Sequence, residues 1–273
     1  MKKPEKTSMY MTIAIFLAMA FAFVSPMEAG GATQNMQVAQ VDVLANRISE
    51  AREAVRNNTE KKNEKNEFIA LGKALYLGGA QRPDKPWLND SFSVWEELLV
   101  RYPQEPLVQA YAGSVRVLKA RDAFFPWTKG KLLKQGQELL VAARSQSPGN
   151  MQVIWLQAIT AYHLPERFKQ RDSAMENFAI LANALEAFEM LKTDAEEQVA
   201  GDHNPAGDEK TIAMIDNLEP AMKASVWYYR GLGLEKKSDL VAAMAAWRHS
   251  VNAEPKSTAA KAAASCLIKH SAE

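Results

Sequence analysis

The stretch WYYRGLGLEKKSDLVAAMAAWRHSVNAEP, Trp227 to Pro255, sets two glycines in a run that otherwise reads as helix, then an alanine-rich segment with a tryptophan, then a proline. A glycine inside a helix costs about 1 kcal/mol relative to alanine, so its presence calls for a compensating contact. The punctuation is regular: Trp227, Arg230, Gly231, Leu234, Ala243, Trp247, Ser250 and Pro255 follow at intervals of 3, 1, 3, 9, 4, 3 and 5. Two helices joined by a short turn around Lys236 to Asp239 account for it. Gly231 and Ala243 then lie where the helices come closest, and Trp247 fills the space left between them. Pro255 ends the second helix, because it has no amide hydrogen and clashes with the preceding turn.

The same spacing recurs upstream. Phe68, Leu71, Gly72 and Leu75 repeat the first helix, and Ser91, Trp95, Leu98 and Pro103 the second, with seven extra residues between the halves. A second unit has Gly113, then Gly136, Leu140, Ala143 and Pro148, with Gln109 in place of the aromatic. A third has Ile154, Ala158, Ala174, Phe178 and Leu181, with Glu186 where the proline would stand. These four units resemble the tetratricopeptide (TPR) repeat, a helix-turn-helix of about 34 residues, over roughly residues 65–256. The resemblance implies an all-α fold of antiparallel helix hairpins stacked in a right-handed TPR-like superhelix, an α-solenoid held by contacts between neighbours. Repeats 1–3 are expected over 65–192, an irregular insertion over 193–220 and repeat 4 over 221–256.

Caps are expected at both ends. Val38, Val41, Leu44, Ile48, Ala51 and Val55 form one apolar stripe at helical spacing, so residues 36–64 read as a capping helix and polar connector. Residues 257–273 read as a C-terminal capping helix with Ala263, Leu267 and Cys266 inward.

At the N-terminus, Lys2, Lys3 and Lys6 precede an apolar run from Met9 to Val24, then Ser25-Pro26 and the small residues Ala29, Gly30, Gly31 and Ala32. Residues 1–32 therefore read as a signal peptide, or as an N-terminal membrane anchor if retained. The expected location is periplasmic or extracytoplasmic, with an inner-membrane anchor as the alternative. Removing the leader leaves 30 basic and 30 acidic residues, a balance without the positive excess of a nucleic-acid binder.

Site chemistry is sparse. One cysteine excludes an internal disulfide framework. Asp202, Asn204, Gly207 and Asp208 mimic part of a calcium loop, but Ala206 and Ala213 stand where two ligands belong. His163, His203, His249 and His270 form no paired-histidine motif. No catalytic residue, metal site or cofactor is expected, and the chain is read as non-enzymatic.

Two surfaces are candidates for a partner. The segments 82–90, 121–131 and 164–172 enlarge the turns within the first three units, and equivalent turns of a stack share an edge. Trp87, Phe124, Phe125, Trp127 and Phe168 would gather there with Arg82, Lys85, Arg121, Lys129, Lys131, Arg167, Lys169 and Arg171. Such an edge either grips an anionic or aromatic segment or folds its aromatics inward as a second core. The resemblance also implies a concave peptide groove, lined by Asn66, Ile69, Lys73 and Tyr76; by Leu107, Ala110, Ser114 and Val117; by Gln152, Trp155, Ile159 and Tyr162; and by Ser225, Tyr228, Leu232 and Glu235. The insertion 193–220 is a candidate to fill that groove. The expected function is an exported cell-envelope TPR adaptor or scaffold binding a protein or peptide. The alternative is a small-molecule-binding accessory of an envelope transport system, which a closed apolar cavity near Trp155 and Trp127 would favour.

Overall fold

A computed structural model of the chain describes residues 32–57, 64–81, 86–198 and 218–271. Most of the leader, Arg82, Lys85 and the calcium-like stretch lie outside the described residues. Residues 1–39 and 40–273 form two compact units; of the first, only the start of helix α1 is described. The described elements are α1 (Ala32–Asn57), α2 (Glu64–Gln81), α3 (Trp87–Arg101), α4 (Pro106–Asp122), α5 (Pro126–Gln146) and α6 (Met151–Tyr162). A 3-10 turn (Glu166–Phe168) follows, then α7 (Arg171–Gln198), α8 (Pro220–Lys236), α9 (Leu240–Ala253) and α10 (Thr258–Ser271).

Proline sets many of these boundaries. Pro106, Pro126 and Pro220 each occupy the first turn of a helix, and the residue before each, Glu105, Phe125 and Glu219, is extended. A proline ring disfavours the α conformation in its predecessor while its own fixed φ suits the first helical turn. Pro103, Pro148 and Pro255 each fall two residues past a helix end. Side chains cap other starts: Asn150 accepts from the amides of Gln152 and Val153 at 3.0 and 3.2 Å, and Asp239 from Ala242 at 3.1 Å.

Helices pair in order, α2 with α3, α4 with α5, α6 with α7 and α8 with α9, and α10 closes on α8 and α9. Successive pairs then pack on one another through α3 and α4, α5 and α6, and α7 and α8. This is the all-α solenoid of stacked hairpins. Within the pairs the glycines do what their spacing predicts. A methyl added at Gly231 would lie 2.2 Å from the Trp247 indole nitrogen, and one at Gly72 2.7 Å from the Trp95 ring. At Gly113 and Gly136 the two helices touch backbone to backbone, each site lying under 3 Å from the other's carbonyl oxygen. Gly233, the second glycine of the opening stretch, meets only Met175 at 3.5 Å and has no such steric role.

Two expectations change. The second enlarged turn is mostly extra helix, since only Ala123 to Phe125 separate α4 from α5, and α3 already begins at Trp87 within the first. The helix after the third turn also runs beyond Lys192 to Gln198. In the N-terminal helix, Ile48 is buried among Leu71, Ala74, Leu75 and Trp87, with Ala51 and Val55 packed against them; the side chains of Val38, Val41 and Leu44 lie outside those described. At the other end Ala263 is fully buried, with Cys266 and Leu267 against it.

Candidate functional site

Side-chain interactions link the ends of neighbouring units. Lys119 at the end of α4 donates to the Asn89 side chain at the start of α3. Arg121 and Arg171, from the second and third turns, both act on His163. Lys236 in the fourth unit pairs with Asp172 at 2.9 Å. Each link joins the end of one hairpin to the next.

Trp87 does not belong to the exposed part of the expected edge. It is buried against Ile48, and Gly78 approaches its ring so closely that a methyl there would lie 2.7 Å away. This corrects the expectation of an edge residue: opening α3 with Trp87 turns its ring under the capping helix. Phe124, Phe125 and Trp127 point the other way, at 88%, 49% and 70% exposure. Phe168 is half-buried under the Arg167 guanidinium, 5.1 Å from its ring. Arg121 pairs with Asp122 at 2.7 Å, Arg171 pairs with Glu166 at 3.4 Å, and Lys129 is half-buried.

His163 is the edge's titratable centre, and sequence reasoning passed over it. Its outer edge is exposed, yet the Tyr162 ring meets it edge-on and Nε2 shares a 3.1 Å hydrogen bond with the Tyr229 hydroxyl. Burial, then Arg171 and Arg121, lower its pKa from the usual histidine value. The folded state thus favours neutral imidazole, and the unfolded chain takes up its proton first as pH falls below about 6.5. Stability contributed by this site is lost in that window until the folded imidazole itself titrates. Thermal melts between about pH 7 and pH 5 should fall more steeply for the wild type than for His163→Gln; parallel curves would refute the assignment.

Six of the predicted groove positions, Tyr76, Ala110, Ser114, Gln152, Trp155 and Ser225, are buried. The Tyr76 hydroxyl is 2.9 Å from the Ser114 hydroxyl, which is 2.7 Å from that of Thr160, a buried chain of hydroxyls crossing α2, α4 and α6. Trp155 Nε1 donates to the Ser225 hydroxyl at 2.6 Å, and Ser225 donates to the Met222 carbonyl at 2.7 Å, joining α6 to α8. Desolvation pushes Tyr76 up to about 12. Leu218 and Met222 belong to the same buried cluster as Tyr76, Tyr111 and Trp155. Tyr76, Ser114 and Trp155 therefore work as core here, and Leu218 and Met222 at the entry to α8 belong to the same core as the two aromatics. Tyr162 and Tyr228 remain half-buried; both pack on Tyr229, at ring separations of 4.4 and 5.0 Å.

One cleft stays open beside the first unit. Arg47, Asn66, Ile69, Ala70, Lys73, Ala74 and Glu219 line a volume of about 350 Å³. Glu219 lies 3.4 Å from Arg47. Burial lowers the Lys73 pKa, and the Glu219 charge partly opposes this. Lys73 also lies over the Tyr111 ring at 5.9 Å. Arg47 and Glu219 were invisible to spacing, since they are brought here by the capping helix and by α8, 172 positions apart. Two cations, an amide and one carboxylate above an alanine and isoleucine floor suit a polar or anionic side chain on a short apolar segment. Among the described residues no group of three or more His, Cys, Asp or Glu side chains is placed to hold a metal ion, and no helix is long and apolar enough to cross a membrane.

No protein-family description and no curated protein matches this sequence. Among solved structures, a thermophilic TPR protein of Thermus thermophilus is similar over 86% of this chain and 98% of its own, at 14% identity and a TM-score of 0.47.

Proposed function

We propose that this chain is an exported, non-catalytic scaffold of the bacterial cell envelope that holds a segment of a protein partner at the first-repeat end of its concave face. A stack of helix pairs is suited to this role because each unit adds surface without altering its neighbours' fold. The observation that carries the reading is the cleft between Arg47, Lys73 and Glu219, where convergent polar groups surround an apolar floor. The leader sequence supports export. A closed cavity near Trp155 and Trp127 would favour the small-molecule alternative; Trp155 is buried with its indole nitrogen on Ser225, and Trp127 is exposed.

A photo-crosslinking residue at Asn66, which is exposed at the cleft mouth, provides the test in intact cells. The expected result is a discrete crosslinked protein that disappears in Lys73→Glu, a variant whose fold is checked by circular dichroism. A crosslink that persists in that variant, or no crosslink in cells expressing folded protein, would remove the cleft as the partner site. Fractionation of the same cells should recover the chain outside the cytoplasm, and cytoplasmic recovery would refute export.

A further inference from the structure

The short turn between α4 and α5 leaves a contiguous aromatic surface in water. Phe124 meets Phe125 edge-on at 5.1 Å, and Phe125 stacks on Trp127 at 4.6 Å. Pro126 opens α5 and holds Phe125 extended, so the three rings form a braced tip. A folded chain seldom exposes such a patch without a use for it.

The tip has a cationic surround. Residues 121–131 carry a net charge of +2 and residues 163–172 a net charge of +1, while the whole chain is +1. The carboxylates of these segments are paired internally, Asp122 with Arg121, Glu166 with Arg171 and Asp172 with Lys236. Lys131 and Lys169 are exposed. Because α4 and α6 pack side by side, the segments that follow their C-terminal ends lie at neighbouring helix ends.

We propose that this aromatic tip docks on an anionic bilayer surface, with Phe124, Phe125 and Trp127 entering the headgroup boundary and Lys131 and Lys169 facing lipid phosphates. Geometry favours a bilayer over a protein segment. Protein hot spots are aromatic residues seated in packed pockets. Here the rings project outward from a rigid turn with lysines beside them, the arrangement of interfacial anchors. On the export reading proposed above, on which only this point rests, the apolar run from Met9 to Val24 would also bring the chain to a membrane. The cleft plays no part in this inference.

The molecule carries its own reporter. Of its six tryptophans, Trp87, Trp95, Trp155, Trp227 and Trp247 are at most 9% exposed, and Trp127 is 70% exposed. The leader contains no tryptophan, so Trp127 reports on the tip even if residues 9–24 bind lipid. Acrylamide quenching of the full chain, with Trp127→Phe as the blank, would be measured on vesicles of phosphatidylglycerol and phosphatidylcholine and on phosphatidylcholine alone. Trp127 should be shielded on the anionic vesicles and quenched there by brominated lipid. Lys131→Glu with Lys169→Glu should weaken this contact about thirty-fold or more, and Phe124→Ala with Phe125→Ala should also weaken it. These side chains are exposed, and unchanged fluorescence of the buried tryptophans verifies folding. Trp127 equally open to acrylamide on vesicles and in buffer would overturn the proposal, as would equal shielding by phosphatidylcholine alone. Shielding by a soluble envelope extract but not by vesicles would assign the tip to a protein instead.

Discussion

Trp95→Ala is expected to cost about 4 kcal/mol of stability, the range for truncating a fully buried large aromatic. Trp95 has no exposed surface, stacks on Tyr111 with ring centroids 4.4 Å apart and nearly parallel planes, and donates its indole hydrogen to the Gly72 carbonyl at 3.1 Å. It thus joins α2, α3 and α4, and its loss opens a cavity between the first two hairpins. Urea unfolding followed by circular dichroism would measure the cost, and a loss under about 1 kcal/mol would contradict this packing. Trp247 is as deeply buried, but its indole nitrogen has no hydrogen-bond partner. Replacement by Phe should therefore be more damaging at Trp95 than at Trp247, because only the first loses a satisfied hydrogen bond.

Two glycines of α5 should respond to the same mutation with opposite signs. Gly136→Ala places a methyl 2.6 Å from the Gly113 carbonyl oxygen and 2.8 Å from a Val117 methyl. Backbone cannot step aside cheaply, so α4 and α5 must separate. An overpacking cost of about 3 kcal/mol, less about 1 kcal/mol gained in helix propensity, leaves a net loss of about 2 kcal/mol. Gly130→Ala meets nothing within 4 Å and should stabilise the chain by about 1 kcal/mol through propensity alone. Paired denaturation curves decide the matter, and two variants shifting in the same direction would refute the contact geometry.

Residue spacing made the hairpins legible because their packing is local. Gly72 and Trp95, Gly113 and Gly136, and Gly231 and Trp247 meet across neighbouring helices at short sequence separation, so the requirement for a small residue opposite a large one leaves a repeating trace. The prolines are equally legible, since φ restriction and a missing amide act on the residue itself and its immediate neighbours. Phe124, Phe125 and Trp127 touch one another, but spacing alone leaves open whether such rings face water or core. Trp87 turned inward and Phe124 outward because α1 covers the first hairpin, while the described contacts of Phe124 and Trp127 are with the intervening Phe125.

The candidate cleft belongs to the other category. Lys73 was picked out by its helical position, but its neighbours Arg47 and Glu219 come from the capping helix and from the entry to α8. No spacing rule joins residues so far apart in the chain. The sequence by itself determined the all-helical repeat, its glycine and tryptophan junctions and its helix ends, because each depends on contacts within a hairpin or on the covalent geometry of one residue. Only the tertiary structure decided that Tyr76, Ser114 and Trp155 are buried and that a cleft is open beside Lys73. That outcome follows from how far successive pairs turn and from what the entry to α8 covers, and those are sums of many small packing contacts to which no single residue holds the key.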